Sequence, residues 1–237
     1  MMRTCLFFPL LVTVIVASAQ QPDTVHLPAG GVYSYIVGVH NKKGVYSGHV
    51  EYFDSAGTVR MRGSANHGKW EGLVEYFDST GVLQRKSIAQ SGKLNGVSTD
   101  YWNNGQAWRE TPFTKGKANG TLKVYHANGQ VAITAPYEDG RMSGEWMVWD
   151  TTGAAANGNV LIEGPAGGSM QVHCVEGRPE GKMVSRRMDG QFSVVGWYRA
   201  GLPVDDFIYY NSNGTPVRKD TYKQGRFVKS VPLNLEP

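Results

Sequence analysis

Glycine recurs every 24 residues through most of the chain, and this repeat restricts the possible folds more than any other feature of the sequence. Three glycine series keep this spacing, and they run from Gly48 to Gly144, from Gly57 to Gly153 and from Gly44 to Gly164. A chain built from one short unit repeated in tandem folds as an array, in which each unit packs on its neighbours. The sequence therefore predicts a repeat protein.

Each unit has the pattern of a β-hairpin. Short runs rich in β-branched and aromatic residues, such as 122–125, are bounded by turns such as Asp-Ser-Ala-Gly at 54–57. Asp and Asn side chains bond their own backbone in such turns, and glycine supplies the positive φ. The frequent glycines would each cost a helix about 1 kcal/mol. We therefore expect an all-β fold, an elongated antiparallel meander of about fifteen strands spanning roughly 70 Å.

The register of the repeat slips once. Gly181 follows Gly168 by 13 residues, after which the step of 24 resumes, with Asp205 at a glycine position and Arg186 at an aromatic position. About one strand and its turn are missing at the slip. We expect capping strands in 20–47, five regular units in 48–167, a truncated unit in 168–180, two further units in 181–228 and a tail in 229–237.

Residues 1–19 have the pattern of a signal peptide. Arg3 precedes an apolar stretch at 5–16, and Ala17-Ser18-Ala19 fits a cleavage site. As a helix this stretch would reach about 18 Å, short of the ~30 Å core of a bilayer. A buried core helix is the alternative, which the polar residues at 20–23 disfavour. We expect cleavage after Ala19, a secreted or periplasmic (cell-envelope) protein, and no transmembrane segment in the mature chain.

The repeat resembles the MORN repeat, in its bacterial variant form. The residues that carry the resemblance are Tyr125, Asn128-Gly129-Gln130, Tyr137 and the segment 140–144 (GRMSG), with a second copy in 101–120. The resemblance implies a β-hairpin array and shares no catalytic residues. Members of the family are described as antitoxin-like, membrane-associated or scaffold modules. We therefore expect an exported, non-enzymatic binding or scaffold module, with an antitoxin-like neutraliser of a partner protein as the alternative.

Motifs for catalysis are missing from the sequence, which has no nucleophile elbow, no H-E-x-x-H and no Walker loop. The net charge of +4 is too small for a dedicated nucleic-acid binder. His173-Cys174 could be a reactive or metal-binding pair, and Asp205-Asp206 could bind a cation. We favour simple packing for the first pair and a turn for the second, and we expect no metal and no cofactor.

A basic residue follows the third glycine of most units, and these residues are Lys69, Lys93, Lys117, Arg141, Arg178 and Arg226. Equivalent positions in a hairpin array lie about 9.6 Å apart. The sequence therefore predicts an anion-binding stripe along one edge, although lysine and arginine are also ordinary solvated turn residues. We expect as partner an anionic envelope surface, either lipid head groups or acidic glycan, or else a protein, but not nucleic acid.

An aromatic residue occupies one position of most units, and the set is Phe53, Phe77, Tyr101, Tyr125, Trp149 and Tyr210. We expect these rings to pack between neighbouring units in place of a conventional core. Exposed rings that bind glycan or a partner strand are the alternative. A single-layer sheet also leaves apolar surface uncovered, which would suit a partner or a homodimer.

Overall fold

The computed structural model describes residues 22–27, 31–165 and 167–233, and there the regular structure is antiparallel β-sheet alone. The signal peptide expected at 1–19 lies outside the described residues. Within those ranges, no helix has the length and hydrophobicity that crossing a bilayer requires. The all-β hairpin fold expected from the repeat is confirmed.

The first sheet holds fourteen strands in the described part of the chain. They are β1 Asp23–His26, β2 Tyr35–His40, β3 Tyr46–Phe53, β4 Val59–Asn66, β5 Lys69–Phe77, β6 Leu83–Gln90, β7 Lys93–Leu94, β8 Gly96–Tyr101, β9 Ala107–Thr114, β10 Lys117–Ala118, β11 Gly120–Tyr125, β12 Val131–Glu138, β13 Arg141–Met142 and β14 Met147–Val148. The pairs β7 and β8, β10 and β11, and β13 and β14 are interrupted strands, since both members of each pair bond the same neighbour.

The second sheet holds seven strands in the described ranges, paired in sequence order. They are β15 Gly158–Glu163, β16 Ser169–Val175, β17 Arg178–Arg186, β18 Phe192–Arg199, β19 Leu202–Tyr210, β20 Pro216–Lys223 and β21 Arg226–Pro232. The meander is therefore divided, whereas the sequence suggested a single long sheet.

The division falls inside the fifth repeat unit. After the turn at 150–153, the chain pairs back onto β14 only briefly, through a bridge between Trp149 and Ala155. Gly158 then adopts a φ of 77°, and the chain leaves the first sheet to begin β15. Gly164, which the repeat places in the third glycine series, instead opens a different turn, in which its N–H donates to the carbonyl of Gly168.

Two kinds of turn alternate along both sheets. Type I′ turns lie at one edge, where a residue with φ of 48–52° precedes a glycine with φ of 75–87°, as at His67-Gly68. At the opposite edge lie bulged turns such as 54–57, where the N–H of Gly57 donates to the carbonyl of Asp54. The Asp54 carboxylate accepts the N–H groups of Ala56 and Thr58, so the turn chemistry expected from the sequence is present.

The main core lies where the second sheet folds against the end of the first. Tyr198 and Phe207 are 2% and 0% exposed, and the ring of Tyr198 stacks on Trp146 of the first sheet at 5.0 Å. Phe207 contacts Tyr198 and Tyr222 edge-on at 5.4 Å and 5.2 Å. The Tyr198 hydroxyl donates to the sulfur of Met142 at 3.1 Å, which adds a second link between the sheets.

Type I′ turns of the second sheet cap the last strand of the first. The N–H of Val148 donates to the carbonyl of Gly177, and the N–H of Trp146 donates to that of Gly201, both at 2.7 Å. A Cβ at Gly201 would lie 2.7 Å from the carbonyl oxygen of Trp146, so only glycine allows this approach. An open strand edge invites aggregation, and these turns cover part of it.

Carboxylates in the turns make stability depend on pH. The Thr80 hydroxyl lowers the pKa of Asp78, the Thr152 hydroxyl that of Asp150, and the Thr58 backbone N–H that of Asp54. Because the folded pKa lies below the unfolded value, their contribution is present at neutral pH and is lost as pH falls below about 4. We expect a lower urea midpoint at about pH 3 than at about pH 7.

An Asp78→Asn variant is the control for this pH dependence. The amide keeps an oxygen acceptor for the turn but carries no titrating group. The difference between the two midpoints should therefore be smaller than in the parent protein. Equal midpoints at both pH values in the parent would contradict the assignment.

Candidate functional site

The predicted basic stripe is divided between the two sheets. Lys69, Lys93 and Lys117 each begin a strand of the first sheet, directly after a type I′ turn. Arg178 and Arg226 hold the same position in the second sheet. Arg141 lies at the junction, where its guanidinium stacks on the ring of Phe227 at 3.8 Å.

Members of the stripe differ in their ion pairs. The Lys117 amino group lies 3.3 Å from a carboxylate oxygen of Asp139. The guanidinium of Arg178 pairs with Glu145 and, at 3.8 Å, with Glu176. No carboxylate in the described ranges forms an ion pair with Lys69, Lys93 or Arg226. Lys69 and Lys93 of the first sheet and Arg226 of the second are therefore more available to an external anion than Lys117 and Arg178.

Three more lysines lie on the same edge of the first sheet, which gives a group that we call the lysine edge. Its described members are Lys42, Lys43, Lys69, Lys93, Lys115 and Lys117, all exposed. Acidic residues near this edge are Asp23, Glu71, Glu138 and Asp139. The repeat pattern missed Lys42 and Lys43, which precede its first unit, and Lys115, which precedes a ladder glycine instead of following it.

The glycines of successive turns lie beside the lysines and leave room for them to form a row. A Cβ placed at Gly92 would lie 3.5 Å from the Cβ of Lys69, and one at Gly116 would lie 3.8 Å from the Cβ of Lys93. Each lysine stem therefore lies beside the glycine of the next turn. Since alternate strands are about 9.6 Å apart, Lys69, Lys93 and Lys117 form a row about 20 Å long.

The repeat aromatics are all partly buried. Phe53 stacks on Tyr35 at 4.7 Å, and the guanidinium of Arg62 lies 4.9 Å from the ring centre of Phe77. The Tyr125 hydroxyl donates to Glu110, and burial together with this carboxylate raises the pKa of Tyr125 to about 12. These rings contact side chains of neighbouring strands.

The remaining repeat aromatics differ in the contacts that place them. The ring of Tyr210 lies 5.7 Å from that of Phe192, and the carbonyl of Trp149 accepts from the His126 ring. Tyr101 ends its strand opposite Ala107. Arg186, which replaces an aromatic in the repeat, lies over the ring of Phe192 at 4.3 Å.

Neither His173-Cys174 nor Asp205-Asp206 belongs to a cluster of metal-ligating side chains in the described ranges. Cys174 is 1% exposed, and burial raises the pKa of its thiol to about 11, so the thiol stays protonated at neutral pH. The exposed His173 ring bonds the amide oxygen of Asn159. Asp205 has the left-handed φ of 56° of the glycine that it replaces. No group of three His, Cys, Asp or Glu suited to a metal occurs among the residues described.

A cleft of about 430 Å³ separates the two sheets near the core, and no motif in the sequence indicates it. Its walls are mainly apolar side chains from both sheets, among them Trp108, Leu122, Ile133, Ile162, Met170, Met183 and Val194. Arg109, Glu163 and Arg186 add charge to its lining. The volume lies in the range of about 300–1,000 Å³ that is typical of small-molecule sites.

A smaller polar pocket of about 220 Å³ adjoins this cleft. The two cavities share Tyr137, Met142 and Tyr209 as a common wall. Arg141 and Arg218 also line the polar pocket. Burial raises the pKa of Tyr137 to about 12 and also raises that of Tyr209, so both hydroxyls keep their protons at neutral pH.

Comparison with known proteins identifies the repeat. Residues 118–139 match the family model described as the MORN repeat variant. The matched segment contains the hairpin of β11 and β12, including Tyr125 and the Asn128-Gly129 turn on which the resemblance was drawn. No curated protein matches the chain. The resemblance to the MORN repeat is thereby confirmed over this hairpin, and it supports in general terms a binding module built from repeats.

Proposed function

We propose that this MORN-repeat protein is an exported, non-enzymatic binding and scaffold module that attaches to an anionic envelope surface through its lysine edge. The observation that carries the proposal is the placement of six exposed lysines on one edge of the first sheet, near four acids. Lipid head groups and acidic glycans both offer the negative charge that such an edge would contact.

The fold supports attachment by presenting several charges together. The lysines stand in or beside hairpin turns, and backbone hydrogen bonds link neighbouring turns, such as that from the N–H of Gly92 in one turn to the carbonyl of Trp70, just after the preceding turn. Each basic residue near an anionic membrane contributes about 1 kcal/mol, and the attraction fades within the Debye length of about 8–10 Å. A row of charges at one edge can approach a flat surface within that distance.

Export is part of the proposal and rests on residues 1–19. Their charged start, short apolar stretch and Ala-Ser-Ala site are the features of a signal peptide. Cleavage after Ala19 would place the mature chain in the periplasm or outside the cell, where envelope lipids and glycans are accessible. The buried Cys174 would be its only cysteine, so oxidation there would form no intrachain disulfide.

Vesicle binding tests the proposed function. We expect purified residues 20–237 to co-sediment with vesicles containing anionic lipid, or with acidic polysaccharide, at low salt. Binding should weaken strongly at about 1 M salt, because the Debye length falls to about 3 Å. Neutral vesicles of otherwise equal composition are the control. Failure to bind any anionic material at low salt would refute attachment through charge.

A protein partner is the second candidate, and an exposed apolar row favours it. Leu73, Ile88 and Val97 lie on the successive strands β5, β6 and β8 and are 46%, 39% and 48% exposed. Exposed apolar patches often mark protein interfaces. A partner protein that this chain neutralises in the manner of an antitoxin, or a second copy of the chain, could cover this row. Association that persists at about 1 M salt would favour this candidate.

A further inference from the structure

The cleft between the sheets has walls suited to a hydrocarbon chain. Met142, Met170 and Met183 line it together with rings such as Trp108 and Phe207. Methionine side chains adapt their shape to what they contact, which suits a flexible ligand. Each methylene moved from water into such walls tightens binding about fourfold. The cleft has few polar groups that would bind water and so hold it against a ligand.

The polar pocket next to the cleft contains a cation without a carboxylate partner. Its two acids are engaged, since Asp220 pairs with Arg218 at 3.3 Å and Asp139 pairs with Lys117 at 3.3 Å. Arg141 forms no ion pair within the described ranges, and its guanidinium carbon lies over the ring of Phe227, 3.8 Å from the ring centre. A guanidinium held in this way can still bond an anion through its edge.

The two cavities are adjacent and share part of their walls, because Tyr137, Met142 and Tyr209 line both. A molecule whose chain fills the cleft can therefore extend a polar end towards Arg141. Of the charged residues that line the cleft, Arg109 pairs with Asp100 at 2.7 Å, whereas Glu163 and Arg186 lie at the opposite strand ends and carry opposite charges. The arrangement thus has one apolar part and one cationic part.

We propose that the cleft binds the hydrocarbon chain of a single-chain anionic amphiphile, whose carboxylate or phosphate head bonds Arg141. A peptide fits the cleft less well, because its backbone N–H and C=O groups need partners when buried. The cleft is lined mainly by apolar side chains from the two sheets. A hydrocarbon chain, unlike a peptide, needs no hydrogen-bond partners there. Lys69 and Lys93 of the lysine edge line neither cavity, so binding at the cleft and attachment through that edge can be tested independently.

Titration with defined amphiphiles tests the site. We expect dodecanoate and dodecyl phosphate, below their micelle concentrations, to bind saturably by calorimetry and to change the fluorescence of Trp108 and Trp146, which line the cleft. Dodecyltrimethylammonium carries the same chain with the opposite charge and should bind about tenfold more weakly. Binding by only one of the two anions would support the site and identify its head group. Absence of saturable binding by both anions would overturn the proposal.

Variants separate the chain site from the head site. Leu122→Trp should fill the cleft and abolish binding, and Val194→Phe is a second filling variant in case the first is unfolded by circular dichroism. Arg141→Met should weaken anion binding about tenfold, while the matched Arg226→Met, outside both cavities, should leave it unchanged. Unchanged dodecanoate binding by a folded filling variant, or by Arg141→Met, would contradict the assignment. The Lys69→Glu/Lys93→Glu variant should leave dodecanoate binding intact, because neither lysine lines a cavity.

Discussion

Replacing Phe207 with alanine is expected to lower the free energy of unfolding by about 3–5 kcal/mol. The ring is fully buried and contacts Tyr198 and Tyr222 at the junction of the sheets. Opposite it lies Gly196, where a Cβ would stand 2.3 Å from the ring. Since glycine has no side chain to move into the vacated space, the cavity would stay largely open, and the cost should lie towards the upper end of this range.

Urea unfolding followed by circular dichroism measures this change. Met188→Ala is the control, because that side chain is 77% exposed in the same part of the chain, and its loss should change stability by no more than about 0.5 kcal/mol. A loss below about 1 kcal/mol for Phe207→Ala would show that the junction of the two sheets is not the main core.

The hairpin array could be predicted because its causes are local. Asp54 and Gly57 belong to one turn, and the strands that they join are neighbours in sequence. Type I′ turns such as His67-Gly68 likewise depend on two adjacent residues. Because each unit repeats the same short-range chemistry, the spacing of glycines alone indicates the fold class.

The junction of the sheets could not be predicted because its causes lie far apart in sequence. Trp146 stacks on Tyr198, and the N–H of Val148 bonds the carbonyl of Gly177. No periodic pattern links these residues. The division at Gly158, the core around Phe207 and the cleft all follow from such long-range contacts, which the spacing of residues along the chain does not indicate.

The candidate site was partly visible in the sequence. Lys69, Lys93 and Lys117 hold equivalent repeat positions, and in the structure each begins a strand at the same edge of the first sheet. Lys42, Lys43 and Lys115 were missed because their place depends on which turns share an edge. The pairing of Arg178 with Glu145 also depends on the junction, since β17 begins beside the end of the first sheet.

Charge reversal on the lysine edge should have the largest effect on binding. Lys69 and Lys93 are exposed and form no ion pair within the described ranges, so the Lys69→Glu/Lys93→Glu variant should fold normally. Each substitution removes an attraction of about 1 kcal/mol and adds a repulsion of similar size. The affinity for anionic vesicles should therefore fall by about 4 kcal/mol, roughly several hundredfold.

The central claim, attachment through the lysine edge, is tested most directly by comparing this variant with Lys182→Glu/Lys223→Glu. The control makes the same change in net charge at two exposed lysines of the second sheet. Binding to anionic vesicles at low salt should be lost in the edge variant and largely kept in the control. Equal loss in both variants would show that only net charge matters, and full binding by the edge variant would contradict the claim.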